Sequence, residues 1–172
     1  AIRRLSTPES QTATNATGTF RFAGTVVDAD GKPVPGAVVE CYQSGSGGAT
    51  FAGTDLEVKE RVTTGTNGAF ELRVSGAYTT LIGRKPGLAP AWVQDWNLTK
   101  DVTEARLILT PPATLTGMVV DEVDKPVADA EVWVSYACAV RDRDEGGMSY
   151  SYLAGKPGRD YFSTRTAADG KF

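Results

Sequence analysis

A chain that nearly repeats itself 93 positions apart has to build one structural unit twice, and this constrains its fold more than its composition does. Gly24-Thr25-Val26-Val27-Asp28 returns as Gly117-Met118-Val119-Val120-Asp121, Lys32-Pro33-Val34 as Lys125-Pro126-Val127, and Ala37-Val38-Val39 as Ala130-Glu131-Val132. A fourth block, Thr66-Asn67-Gly68-Ala69-Phe70, reappears as Ala168-Asp169-Gly170-Lys171-Phe172 at an offset of 102, so the second copy carries a nine-residue insertion. The unit is roughly 90 residues long, and the 172 residues hold about one and a half of them. Three segments follow: a polar linker or fraying terminus at 1–18, a first unit at 19–111, and a second at 112–172 that is incomplete at its C-terminal end.

Within the first unit the apolar period is two. Phe20, Phe22, Gly24 and Val26 alternate with Thr19, Arg21, Ala23 and Thr25, the pattern of a strand with one buried face. The turn Asp28-Ala29-Asp30-Gly31-Lys32-Pro33 leads to a second strand through Ala37, Val39 and Cys41. After a Gly/Ser-rich loop at 45–53, Leu56, Val58 and Val62 mark a third strand, and Thr66-Asn67-Gly68 turns the chain into a fourth through Phe70, Leu72 and Val74. Further strands are expected over 78–84, 91–96 and 105–110. Seven short strands separated by turn signals predict an antiparallel β-sandwich. The 19 Gly and 9 Pro agree with a turn-rich, helix-poor chain. Phe22, Val26, Val39, Val62, Phe70, Leu72, Leu107 and Leu109 share the inward parity and form the expected core.

The pattern Gly-x-Val-Val-Asp-x-x-Gly-Lys-Pro-Val-x-Gly-Ala-x-Val, a Thr-x-x-x-Gly-x-Phe turn and Lys85-Pro86-Gly87-Leu88-Ala89-Pro90 resemble the carboxypeptidase regulatory-like domain. The resemblance implies an all-β fold of tandem seven-stranded antiparallel Greek-key sandwiches, transthyretin-like (prealbumin-like), with the second one truncated. Tandem copies of that family are common in large secreted or envelope proteins of bacteria, so an extracytoplasmic location is implied: secreted, periplasmic or cell-surface. The motif residues are turn glycines and core positions, which speak for fold and say almost nothing of activity. Two turns are expected to differ between the copies, because Gly31 becomes Asp124 and Gly36 becomes Asp129. Collagen-adhesin B-type repeats, a related sandwich family, form internal isopeptide bonds from a first-strand lysine. Here that strand offers Arg21, so the chemistry is not carried over.

Residue types that carry catalysis are scarce. The chain has no histidine, which removes the commonest general base and the commonest zinc ligand. Ser44-Gly45-Ser46-Gly47-Gly48 lacks the register of a nucleophile elbow and reads as a loop. Asp142-Arg143-Asp144-Glu145 is too short for a calcium loop and is opposed by its own arginines, so a solvated loop is favoured over a metal site. Asp28-Ala29-Asp30 is explained by its turn. No cofactor, metal or catalytic residue is expected, and the chain is read as a non-enzyme. A net charge of −3 without a Lys/Arg cluster argues against nucleic acid. No apolar run approaches the ~18 residues of a membrane span, and Ala1-Ile2-Arg3-Arg4-Leu5 is too short for a signal peptide. Asn15-Ala16-Thr17 and Asn97-Leu98-Thr99 are sequons of the kind that chance supplies in a Thr-rich chain.

Cys41 lies in phase with Ala37 and Val39, and Cys138 with Ala130, Val132, Val134 and Tyr136. Each is expected to face the core of its own unit, which favours two reduced thiols over a disulfide. Trp133 falls out of phase with Val132 and Val134 and should point outward. Trp92 and Trp96 share one parity, and Tyr150, Tyr152, Tyr161 and Phe162 crowd the inserted segment. These aromatics, with Trp92, Trp96, Trp133, Tyr150 and Tyr152 foremost, are the candidate ligand or interface surface. The plainer alternative has Trp92 or Trp96 filling the core and Trp133 packing on the neighbouring unit.

The reading of function is a structural or interaction module of a larger protein, serving as spacer, stalk or docking domain. Its partners would be other domains of the parent, with a protein or glycan ligand as a further expectation. The alternative is a carbohydrate-binding accessory module using exposed aromatics. Counterparts of Leu72, Val74, Leu81, Val93, Leu107 and Leu109 are lacking in the second copy, which would leave apolar faces uncovered and strand edges unpaired. A longer chain, a strand-exchanged oligomer, or a cover formed by Tyr150 to Phe162 would each answer this need.

Overall fold

The computed structural model describes residues 19–44, 56–75, 79–95, 98, 100–143 and 147–172. The 1–18 linker, the 45–53 loop, Trp96, Asn15, Asn97 and the Asp144-Glu145 half of the acidic loop lie outside them.

Seven strands form where the period of two predicts them: β1 (Thr19–Asp28), β2 (Val38–Ser44), β3 (Leu56–Thr63), β4 (Ala69–Ser75), β5 (Thr79–Arg84), β6 (Ala91–Asp95) and β7 (Val102–Leu109). They make two sheets, ordered β4-β1-β7 and β3-β2-β5-β6. Between the sheets, Phe22, Val26, Val39, Phe70, Leu72, Leu107 and Leu109 are buried in one core with Cys41 and Leu81, and Val62 packs against its margin. Burying each such side chain contributes roughly 1.5–3 kcal/mol, so this shared face is what holds the sandwich closed. The strand pairings are antiparallel with one exception, β1 with β7, which run parallel.

Gly24 explains how β7 reaches β1. The register slips between Phe22, opposite Val102, and Gly24, opposite Ala105, leaving one extra residue on β7. A Cβ on Gly24 would stand 1.9 Å from the Ala105 carbonyl oxygen, so only glycine admits the bulged strand this close. At the neighbouring turn, one carboxylate oxygen of Asp28 accepts the N–H of Asp30 and of Lys32, each at 2.9 Å. The buried Thr64 hydroxyl donates to the Val34 carbonyl at 2.7 Å and accepts the Ala37 N–H at 2.9 Å, tying the start of β2 to the end of β3.

These bonds recur in residues 117–172. Asp121 accepts Val123 N–H and Lys125 N–H at 2.9 Å, and Thr166 donates to Val127 O at 2.7 Å and accepts Ala130 N–H at 2.9 Å. Val119 N–H bonds to Gly170 O as Val26 N–H does to Gly68 O. The two turns expected to differ do not. Asp124 has φ 61° where Gly31 has 80°, and Asp129 has φ 55° where Gly36 has 66°. Aspartate is among the few side chains that tolerate this left-handed region, and the bonds around each turn are retained, so the geometry survives the substitution.

Beyond Ala130 lie β8 (Glu131–Trp133), β9 (Tyr136–Arg143), β10 (Gly147–Ala154), the short helix α1 (Lys156–Tyr161) and β11 (Ser163–Arg165). Trp133 pairs with Ser163 and Glu131 with Arg165, the register that Glu40 keeps with Arg61 and Val38 with Thr63. The nine extra residues therefore fall within 134–162, which forms the β9–β10 hairpin and α1 where the first copy has residues 41–60. Pro157 opens the helix, where its missing N–H has no intrahelical acceptor to lose.

Cys138 departs from expectation: it is exposed, whereas Cys41 is buried, and no disulfide joins them. The parity argument fails because β8 ends at Trp133 and a new strand begins at Tyr136. Alternation carries a side chain's facing along one strand, and it does not survive a break in the chain's path. In the hairpin Cys138 lies opposite Tyr152 on one face, while buried Leu153 takes the other.

Candidate interaction surface between the two segments

The outer face of the β3-β2-β5-β6 sheet is not a solvent face. A row of side chains runs across it in register: Arg61 on β3, Glu40 on β2, Ile82 on β5 and Trp92 on β6. Tyr42 stands two residues beyond Glu40 on the same face. Glu40 is 2% exposed, and Tyr42 and Ile82 are also buried. What covers them is the segment 134–162: Leu153 of β10 is buried among Tyr42 and Ile82, with Ala137, Tyr161, Phe162 and Trp92 packed around the cluster.

Polar groups lock this apolar patch. Arg84 reaches the Glu40 carboxylate through Nε at 3.3 Å and Nη2 at 3.2 Å, and Arg61 approaches it to 2.5 Å. The Tyr161 hydroxyl, delivered by the last turn of α1, also donates to Glu40 and lies 2.7 Å from the Tyr42 hydroxyl. Arg84 sits over the Tyr161 ring at 5.9 Å, and the two tyrosine rings meet edge to face at 6.3 Å. Burial alone would raise the Glu40 carboxyl. Hydrogen bonds from Arg84 and Tyr161, with the charges of Arg84 and Arg61, instead bring it below the usual carboxylate range. Burial, followed by the hydrogen bond to Glu40, pushes the Tyr161 phenol far up. The site thus holds a fixed anion between two cations and a neutral phenol.

The aromatics singled out from sequence divide between two places. Trp92 belongs to the seam: its indole N–H donates to the Ser151 carbonyl of β10 at 3.1 Å and its ring meets Phe162 edge to face at 6.4 Å. It fills neither the sandwich core nor a free surface. Trp133 points outward, 40% exposed. Tyr152 stacks on exposed Tyr136 with centroids 5.3 Å apart, on the face of the hairpin that carries Cys138. Tyr150 is placed by its backbone alone, opposite Val140. The cover that Tyr150 to Phe162 was one candidate to form is directed elsewhere: Leu153, Tyr161 and Phe162 pack on the first sandwich, against Ile82, Tyr42 and Trp92. Leu115, Met118 and Val123 remain exposed at 74%, 51% and 62%.

Sequence reasoning missed Glu40, Arg84 and Tyr42, and named Tyr161 only as one of the aromatics of the inserted segment. The available signal was Ile82 and Tyr42, large apolar side chains on the face of β5 and β2 that should be polar in a half-solvated sheet. An open groove of about 720 Å³ also lies over Arg21, Gly24, Phe70, Glu71, Glu104 and Arg106, where Arg21 and Glu71 pair at 2.7 Å. Among the described residues, no group of three or more His, Cys, Asp or Glu is placed to hold a metal ion, and no helix is long and apolar enough to cross a membrane.

Two twisted sheets over one core, with a hairpin and helix strapped to the outside, define an all-β sandwich module. The chain belongs to the carboxypeptidase regulatory-like domain family, whose model matches residues 22–110. It is also similar to catechol 1,2-dioxygenase 1 of Acinetobacter lwoffii, 45% identical over 62 residues that cover 33% of this chain and 20% of that protein. Among solved structures it is similar to 3-chlorocatechol 1,2-dioxygenase from Rhodococcus opacus 1CP, with 16% identity, a TM-score of 0.44, and 58% and 62% of the two chains covered. It is similar as well to the shaft pilin SpaA from Lactobacillus rhamnosus GG, with 12% identity, a TM-score of 0.42, and 90% and 81% covered. The chain spans a fifth of the length of the Acinetobacter lwoffii dioxygenase, and the chemistry in these names stays with those proteins.

Proposed function

We propose that this chain is a non-catalytic structural module, a spacer or docking unit within a larger extracytoplasmic protein. The observation that carries this reading is the seam. The buried acid, the two arginines that face it, two tyrosines and a tryptophan fix one segment to the next. The lack of histidine and the family's regulatory-like description point the same way. Spin labels at Thr103 and Glu122, in a Cys138→Ser background, test it by double electron–electron resonance. One narrow distance distribution is expected, broadening when Glu40→Ala and Trp92→Ala are combined. A broad distribution in the unaltered seam would defeat the spacer reading.

The second reading is a carbohydrate-binding accessory module, favoured by the stacked Tyr136–Tyr152 pair and exposed Trp133. Binding on a glycan array, lost on Tyr136→Ala or Trp133→Ala, would select it over the first.

A further inference from the structure

We propose that β4, the outer strand of the β4-β1-β7 sheet, is a self-complementary edge through which two copies of this chain join their sheets, antiparallel and centred on Leu72. The proposal goes beyond the spacer reading and does not rest on it.

The backbone of this edge is open. Val26 N–H donates to Gly68 O, and alternation along the antiparallel ladder turns the N–H and C=O of Phe70, Leu72 and Val74 towards β1. Those of Ala69, Glu71 and Arg73 point the other way. Ala69 uses its pair within the preceding turn, its N–H on Asn67 Oδ1 at 3.1 Å and its carbonyl on Gly65 N–H at 3.2 Å. Among the described residues, the outward backbone groups of Glu71 and Arg73 make no hydrogen bond. The open groove over Arg21 and Gly24 runs past Val62, Ala69, Phe70 and Glu71, so a strand can reach this side of β4. Sheet edges are commonly blunted by proline, lysine or a bulge. β4 contains no proline or lysine, and it keeps one register with β1 from Ala69 to Ser75.

Charge selects the occupant. About Leu72, the sequence Phe70-Glu71-Leu72-Arg73-Val74 complements its own reversal: Glu71 of each copy meets Arg73 of the other, and Phe70 meets Val74. Glu71 and Arg73 are also the residues with outward backbone groups, so each such pair exchanges both backbone hydrogen bonds. The neighbouring registers that keep those bonds set Glu71 against Glu71, or Arg73 against Arg73, and like charges directly opposite are destabilising. Phe70, Leu72 and Val74 stay over their own buried core in both copies, so the sandwiches join without uncovering apolar surface. Within one chain, Arg73 stands opposite Arg21, whose guanidinium is paired with Glu71 at 2.7 Å. A second copy brings Arg73 the carboxylate that its own strand gives to Arg21.

Sedimentation equilibrium of the 172-residue chain up to about 1 mM tests this, with amide hydrogen exchange at both ends of the concentration range. A contact this short belongs with weak interfaces, so a dimer with a dissociation constant of about 0.1–1 mM is expected. Protection of the Glu71 and Arg73 amides should rise with concentration, whereas Phe70, Leu72 and Val74 are protected by β1 throughout. Glu71→Arg and Arg73→Glu should each weaken self-association about tenfold or more, and Arg73→Gln by a smaller factor. Both side chains are exposed, so the urea midpoint should move little. Mixing the two charge-reversed variants should restore association, because one edge is then wholly basic and the other wholly acidic. Combining both reversals in one chain should restore it too. A chain that stays monomeric to about 1 mM would overturn the proposal. So would a dimer indifferent to both reversals, as one joined through residues 112–172 would be, or a mixture that fails to associate.

Discussion

Replacing Glu40 by glutamine keeps the shape of the seam and removes its charge. The carboxylate accepts from Arg84, Arg61 and Tyr161, and hydrogen bonds to charged groups contribute about 1.5–3 kcal/mol each in favourable settings. Those values do not add here. The side chains of Arg84 and Arg61 are 40% and 60% exposed and rehydrate when the charge goes, so their share shrinks towards that of surface pairs. Tyr161 keeps Tyr42 as a partner. The remaining cost is about 2 kcal/mol, most of it from the amide N–H2 group that takes the place of one carboxylate oxygen and faces donors at a buried position. Urea unfolding of wild type, Glu40→Gln, Tyr161→Phe and the double variant measures it. A coupling of about 1 kcal/mol between the two substitutions is expected, because one removes the charge that strengthens the bond and the other removes its donor. Strict additivity, or a Glu40→Gln cost below about 0.5 kcal/mol, would refute the argument that this anion fastens the segments. The pH dependence has a fixed sign. The folded carboxyl lies below its unfolded value of about 4.3, so its contribution is complete above that pH and is lost as pH falls through the lower folded value.

Gly24→Ala should cost about 3 kcal/mol or more, seen as a lower urea midpoint, because its Cβ would collide with the Ala105 carbonyl. Thr64→Val leaves the Val34 carbonyl and Ala37 N–H of a buried site without their bridge and should cost about 2 kcal/mol by thermal or urea unfolding. In native protein, a thiol reagent should modify Cys138 promptly. Cys41, buried and pushed up to about 12, should react only after denaturant is added; equal rates would contradict the burial assigned to it.

The strands and the core of the first unit were legible in the sequence because alternation and turn chemistry act locally: Phe22, Val26, Phe70 and Leu72 sit where period two puts them. The Asp28 and Thr64 bonds were half legible, as motif residues without a stated role. The seam was not, since a Glu between apolar neighbours on a strand reads as a solvated residue until something covers it. What covers Glu40 lies 121 positions along the chain, in the segment that is nine residues longer than its counterpart in the first copy. Trp133 points outward as its parity indicates, whereas Trp92, for which the sequence left core filling as the plainer reading, is assigned to the seam only by the three-dimensional arrangement. Cys138 shows the opposite failure, a periodicity extended past a break in the strand.

The parallel pairing of β1 with β7 has a mechanical consequence. The chain enters the first sandwich at Thr19 and leaves it past Leu109, and the two strands lie side by side with these ends opposed. Tension applied through residues on either side of the sandwich acts along the strands, so the six paired positions from Phe22 to Asp28 are loaded together in shear. A hairpin pulled from its open end yields one bond at a time, at low force. Here the first extension must break the whole ladder and drag Leu107 and Leu109 out of the core at once. The bulge at Gly24 marks the weakest point of that ladder, and the stretch from Gly24 to Asp28 is the part that bears the load.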